Sequence, residues 1–240
     1  MISRRAAIAL PFATFADAAE QQEAEISLFD GVTSSGWLSI SGDPFPQRSW
    51  CVDGGCLKVN SPKPGAMQDL RTAVEFEYFD LSLEWKLAPG GNSGVKYSLS
   101  GIDSFKPKDD LEGVTGLHAR ARGLEFQIGD SATPDVQRGP QYAAGALYGI
   151  CAPATPATVR AGEFNSARIV YTTSRLEHWI NGELLLRLDP SSENFAARIR
   201  AVRGGTRLLT RRRQSPIALQ NHGSEAWFRN LRIRRISADA

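Results

Sequence analysis

The chain has 240 residues, a formal net charge of +2, 22 glycines and 13 prolines. That length can hold one sizeable core, and so small a charge leaves no electrostatic footprint for nucleic acid or an anionic membrane surface. The glycines and prolines suit many turns and few long helices. Beyond the N-terminal segment, no run is apolar enough to span a bilayer.

Residues 1–18 read as an export signal. Arg4-Arg5 precedes an apolar stretch at residues 6–15, and Ala16-Asp17-Ala18 fits an A-x-A cleavage pattern. Ser3-Arg4-Arg5 suits either the twin-arginine route or an ordinary secretory signal. The expectation is a periplasmic or extracellular protein whose single domain occupies residues 19–240. Loss of the leader removes Arg4, Arg5 and Asp17, two positive charges and one negative, and takes the net charge from +2 to +1.

Strand-like runs separated by turn signals dominate after residue 25. Residues 26–29 form a short strand. WCVDGGCLKV at 50–59 reads as a hairpin turning at Gly54-Gly55. That register pairs Cys51 with Lys58 and Asp53 with Cys56, leaving the two cysteines diagonal, slightly beyond the usual disulfide reach. No histidine lies near them in sequence, which argues against a metal site there. Residues 79–87 alternate with apolar side chains at odd positions. Residues 90–94 read as a tight loop into a strand at 95–99, and the polar residues 101–122 as an insertion loop. Residues 131–163 are loop-like. The strand at 167–171, the hairpin 176–180/183–188 around Asn181-Gly182, and strands at 217–220 and 227–236 complete the pattern, with a helical turn expected at 193–199. Many short strands without repeated helices predict an all-β, two-sheet sandwich. The seven arginines within residues 198–213 read as a solvated loop, with an anionic polymer as the sharper alternative.

GLEFQIGD at 123–130 carries the strongest chemical signal. Strand alternation sets Glu125 and Gln127 on one face and Leu124, Phe126 and Ile128 on the other, toward the core. Asp130 joins the Glu125 face only if Gly129 forms a bulge. Taken alone, the row is either a solvated outer face or a pair of acids of the kind that glycosidases place about a sugar bond.

An ordered set of segments resembles the 3-keto-disaccharide hydrolase domain family. They are SLFDG…GW at 27–37, WCVDGGCL at 50–57, residues 75–97, GLEFQIGD, GALYG at 145–149, GEFNSARIV at 162–170, LEHWINGE at 176–183 and PIALQNHG…RRI at 216–236. The sequence departs from that family's pattern at Gly129, Phe164 and Asn221, where Leu, Trp and Asp are usual. The resemblance implies a concanavalin-like jelly-roll β-sandwich acting on a carbohydrate substrate already oxidised at C3. A C3 ketone acidifies the C2 proton, so a base can remove it and the C1 substituent can leave by β-elimination, followed by water addition. Such a site needs a base, an acid at the glycosidic oxygen and a group that stabilises the enolate oxygen. In some members the resemblance also implies a possible divalent metal to polarise the ketone.

On this reading Glu125 is the general base or a metal ligand, Gln127 binds a sugar hydroxyl, and Asp130 orients a partner or acts as acid. His222, in the loop between the last two strands, titrates near neutrality and is a catalytic candidate. Asn92 is expected to contact substrate hydroxyls, and Arg229 to meet the enolate oxygen or to form an ion pair within its sheet. His178 shares a face with Leu176 and Ile180, which favours a core position. That leaves Trp179 and Glu177 facing outward, with Trp179 as a stacking platform; if the binding face is the other one, these roles swap. Two other function classes stay open: a non-catalytic carbohydrate-binding sandwich, which needs exposed aromatics such as Trp85 and Trp179, and a hydrolase of unoxidised glucans.

Overall fold

Alternation of apolar and polar side chains builds two stacked sheets. The computed structural model describes residues 24–60, 67–105, 118–160, 162–202, 204–208 and 214–240, so the export segment expected at 1–18 lies outside the described residues. In chain order the strands are β1 (Ile26–Ser27), β2 (Trp37–Ser39), β3 (Trp50–Asp53), β4 (Cys56–Val59), β5 (Leu70–Phe76), β6 (Phe79–Leu87), β7 (Asn92–Phe105), β8 (His118–Gly129), β9 (Asn165–Tyr171), β10 (Leu176–Ile180), β11 (Glu183–Leu188), β12 (Ser215–Leu219) and β13 (Ala226–Arg235). A helix, α1 (Glu193–Ala201), lies between β11 and β12. One sheet runs β11-β10-β9-β6-β13-β4-β3 with β1 beside β13; the other runs β2-β5-β12-β7-β8. The strands of both sheets pair antiparallel.

The core lies between the sheets. Phe79, Leu81, Leu83, Trp85 and Leu87 of β6 meet Leu124, Phe126 and Ile128 of β8 within one apolar cluster. Such burial contributes about 1.5–3 kcal/mol for each large side chain. The 50–59 hairpin has the expected register, turning through Gly54 and Gly55 at φ 55° and 75°, the left-handed geometry that a two-residue turn demands. Asn181 and Gly182 do the same between β10 and β11, at φ 50° and 82°. Cys51, Cys56 and Cys151 are free thiols.

Two expectations fail around β7 and β8. Asn92, Ser93 and Gly94 belong to β7 rather than to a loop: the glycines and small polar residues that signal a turn lie inside the sheet, where Gly94 sits opposite Gln127. Of the supposed insertion at 101–122, residues 101–105 and 118–122 continue the two strands, with Gly101 opposite Arg122 and Asp103 opposite Arg120, and residues 106–117 lie outside the described residues. Ala119 and Ala121 pack against Ile40, Leu99 and Ala218 in a small second cluster. Charged neighbours hid that alternation from the sequence. The helical turn expected at 193–199 is α1, capped by the Ser192 side chain, which accepts from the Phe195 N–H, and anchored by buried Phe195 and Ile199.

Candidate active site

Because Leu124, Phe126 and Ile128 face the core, Glu125 and Gln127 lie on the face of the five-stranded sheet turned away from the other sheet. Neighbouring strands add to that face in register. On β7, Lys96 stands opposite Glu125 and Asn92 opposite Gly129. On the far side of β7, the Gln220 N–H donates to the Gly94 carbonyl, so Gln220 continues the β12 row. Several segments remote in sequence thus deliver polar side chains to one patch.

Glu125 is 9% exposed. Its Oε1 accepts from Gln220 Nε2 at 3.0 Å, and its Oε2 is 3.7 Å from Lys96 Nζ. Burial pushes the Glu125 carboxyl above the usual carboxylate range, and the Lys96 charge acts against that rise. Lys96 also donates to Asp69 Oδ2 at 3.2 Å and to the Ala121 carbonyl at 3.1 Å. Asp69, in turn, accepts from the N–H groups of Ala121 and Asn221 at 2.8 and 3.0 Å. Gln127 donates to Asn92 Oδ1 at 3.2 Å. The Oε1 atoms of Gln127 and Gln220 are buried acceptors with no hydrogen-bond partner among the described residues.

GALYG extends the open edge of β8. The Gln127 N–H donates to the Ala146 carbonyl, the Gly145 N–H to the Gln127 carbonyl and the Tyr148 N–H to the Glu125 carbonyl, which covers an otherwise unpaired strand edge. This pairing holds Tyr148 beside the acid row. The Tyr148 hydroxyl donates to Asp135 Oδ2 at 2.7 Å, and Arg138 donates to Asp135 Oδ1 at 2.6 Å and lies over the Tyr142 ring. Burial works to raise the Asp135 carboxyl, but these hydrogen bonds and the Arg138 charge outweigh it and hold the group below its usual range. A cavity of about 620 Å³ opens here, with Glu125 and Arg122 on the sheet side, Arg138, Tyr142 and Tyr148 beside them, and Val202, Gly204, Gly205, Arg207 and Leu208 as the opposite wall.

His222 is half-buried. Burial lowers its ionisation range; the charge of Arg120 adds to that effect and that of Asp135 opposes it. It follows Asn221, whose backbone Asp69 fixes.

Other candidates stand elsewhere. The β7–β8 register runs unbroken from Leu124 to Gly129, so Gly129 forms no bulge. Asp130 ends the strand as a turn acceptor, taking the N–H groups of Gly90 and Ala132; these bonds hold its carboxyl below the usual range. It lines a separate cavity of about 240 Å³ beside Trp85 and Leu87. His178 is a core residue. Since the Gly145 carbonyl can only accept, Nδ1 of His178 carries the proton, and Nε2 accepts from the Tyr97 hydroxyl at 2.7 Å. Trp179 and Arg229 lie on the outer face of the eight-stranded sheet, across the core from Glu125. Trp179 donates to Glu177 there. Arg229 donates to Glu84 at 2.7 Å and stacks on Phe164, which is the ion-pair alternative. Trp85 is 1% exposed and presents no platform.

The sequence reading missed Asp69, Lys96, Asp135, Arg138, Tyr148 and Gln220. Lys96 left one trace, a cation inside the apolar run GVKYSL; the others become visible only through strand pairing. Nor do the residues at Glu125 fit a divalent ion. Among the described residues no three His, Cys, Asp or Glu side chains converge, and the cation between the carboxylates of Asp69 and Glu125 is the Lys96 ammonium.

A profile of the 3-keto-alpha-glucoside-1,2-lyase-like domain matches residues 24–234. The chain belongs to this family. A relative from Bacteroides thetaiotaomicron, a 3-keto-disaccharide hydrolase, is 30% identical over 229 residues, covering 87% of this chain and 77% of its own. A crystal structure of a Parabacteroides distasonis protein, provisionally a glycosyl hydrolase, superposes with a TM-score of 0.69 at 24% identity, covering 89% of this chain and 94% of that one. The κ-carrageenase of Pseudoalteromonas carrageenovora shares the fold at TM-score 0.50 and 8% identity, over 91% and 97% of the two chains. The family member described here is thus an all-β, concanavalin-like jelly-roll sandwich.

Proposed function

We propose that the protein cleaves 3-keto-glycosides, with 3-keto-disaccharides as the substrate class, and that Glu125 is the base that removes the C2 proton. The observation that carries this reading is a buried carboxylate at the wall of a cavity, hydrogen-bonded to one amide and faced by one ammonium. Family membership and the 3-keto-disaccharide hydrolase relative supply the substrate class.

The chemistry follows from the arrangement. The C2 proton passes to Glu125 as the C2–H electron pair moves into the enolate of the C3 ketone. The enolate then expels the C1 oxygen, which takes up a proton, and water adds across the resulting double bond to complete hydrolysis. A carboxyl whose ionisation range is raised by burial is a stronger base than a solvated one. His222, the histidine of this polar patch, is the proposed carrier of the proton to the leaving oxygen. Tyr142 and Tyr148, which line the cavity, offer ring faces to a pyranose.

Glu125→Gln keeps the shape and removes the base. Turnover of a 3-keto-disaccharide should fall by about 10³-fold while the melting curve stays that of a folded protein. Full activity in this variant removes Glu125 from the mechanism. Assaying the unoxidised disaccharide in parallel separates this chemistry from ordinary glucan hydrolysis, because without the ketone the C2 proton is not acidic and no product should form.

A further inference from the structure

Lys96 and Asp69 belong to none of the roles described so far, yet they are among the most enclosed charged groups near Glu125. Lys96 is 5% exposed and Asp69 is 0% exposed. Asp69 precedes β5, Lys96 lies on β7 and Glu125 on β8, so the cluster forms only when the sheet assembles. Taking a lysine and an aspartate out of water is expensive, and apolar replacements of buried ion pairs are often neutral or stabilising. Stability alone therefore gives little reason for this pair.

The geometry gives another. The Lys96 ammonium is fixed by two oxygens, Asp69 Oδ2 at 3.2 Å and the Ala121 carbonyl at 3.1 Å, and points its charge at Glu125 Oε2, 3.7 Å away. The second Asp69 oxygen accepts from the Asn221 N–H, one residue before His222. One buried carboxylate thereby anchors the neighbour of the proposed base and the backbone that carries the proposed proton donor. We propose that Asp69 and Lys96 are a positioning pair, in which Lys96 holds the Glu125 carboxylate and Asp69 holds both Lys96 and the Asn221–His222 backbone.

This rests on the reading of Glu125 as the base. The charged and titratable groups around it are Lys96 from β7, Asp69 from the segment before β5, Arg120 from the first half of β8 and Asp135 from the loop after β8. Tyr148 stands beside Asp135, and the charges of Arg120, Asp135 and Lys96 act on His222. Of these, Lys96 makes a direct ion pair with Glu125.

The test is the pH profile of kcat/KM for a 3-keto-disaccharide in Lys96→Met, Lys96→Gln and Asp69→Asn, with folding checked by thermal melting. Loss of the Lys96 charge should move the acid limb, where activity rises as the base ionises, upward by about one pH unit, or tenfold in rate on the limb. Asp69→Asn removes a negative neighbour and frees Lys96 for Glu125, so its limb should move downward. A group that merely fills space lowers activity without moving the limb, and certainly not in opposite directions. Folded Lys96 variants whose limb stays in place overturn the proposal. So does loss of turnover at every pH in folded Lys96→Met, which would make Lys96 catalytic itself, and so does unfolding of both Lys96 variants, which would assign the pair to stability. If Asp69→Asn does not fold, the two Lys96 variants decide. Full activity of Glu125→Gln indicts the base assignment instead, so the two failures can be told apart.

Discussion

At the scale of single residues, environment separates three ionisable side chains that look alike in sequence. His178 is pushed down to about 4 by burial between Tyr97 and Gly145, so it is neutral at pH 7. Its folded-state value lies below its unfolded one, near 6.5. As pH falls below about 6.5, the unfolded chain takes up the proton first, and stability present above that pH is lost down to about 4. The loss is on the order of 3 kcal/mol. Chemical denaturation at pH 7 and pH 4 should show it, and His178→Gln should flatten that part of the profile. A variant with the wild-type slope would remove His178 as its source. Glu125 shifts the other way, upward, so the acid limb of activity should lie above the range of a solvated carboxylate. Asp130, bound by backbone N–H groups at a turn, is held low and is tied to structure rather than to the cavity.

At the scale of elements, the β7–β8 pair sets the geometry of the acid row. Gly94 stands beside Glu125 in the neighbouring strand. A Cβ there would lie 2.8 Å from Glu125 Oε1 and 3.1 Å from its Cγ. Gly94 is not in the left-handed region, so Gly94→Ala introduces no φ strain; its tightest contact is with the carboxylate, which it pushes aside, and the Phe126 carbonyl at 3.2 Å must give by a smaller amount. We expect the sheet to persist and kcat/KM to fall by about 10²-fold, the order of loss that follows a displacement near 1 Å; wild-type kinetics in Gly94→Ala would place the working carboxylate elsewhere. The same pair shows where the sequence was legible. GLEFQIGD disclosed its own two faces because alternation is local. It could not disclose that Lys96 stands opposite Glu125 or that GALYG pairs onto the β8 edge, because register between distant segments leaves no local trace. Asn92, Ser93 and Gly94 misled for a related reason: turn-forming residues can sit inside a strand when a neighbour, here the Glu125 side chain, needs the space.

At the scale of the whole molecule, the sandwich has two outer faces, and parity alone does not tell them apart. Glu177 and Trp179 were legible as outward-facing, but outward from the eight-stranded sheet, where Arg229 also lies, with the core between them and Glu125. Trp179→Ala and Arg229→Ala should therefore leave kcat/KM within about twofold of wild type, as for surface changes remote from a site; a tenfold loss in either would bring that face into the reaction. The two-sheet class was readable because turn chemistry and alternation are local properties. The polar patch of the candidate site was readable in part, since Glu125, Gln127 and Asn92 share one sheet face, while the other residues there depend on which sheet each strand joins.

The wall that Val202, Gly204, Gly205, Arg207 and Leu208 set opposite Glu125 belongs to neither sheet. None of these residues takes part in the register that aligns Lys96 with Glu125. On the proposed reading, a change in that wall would alter what the cavity admits and leave the Lys96–Glu125 pair in place.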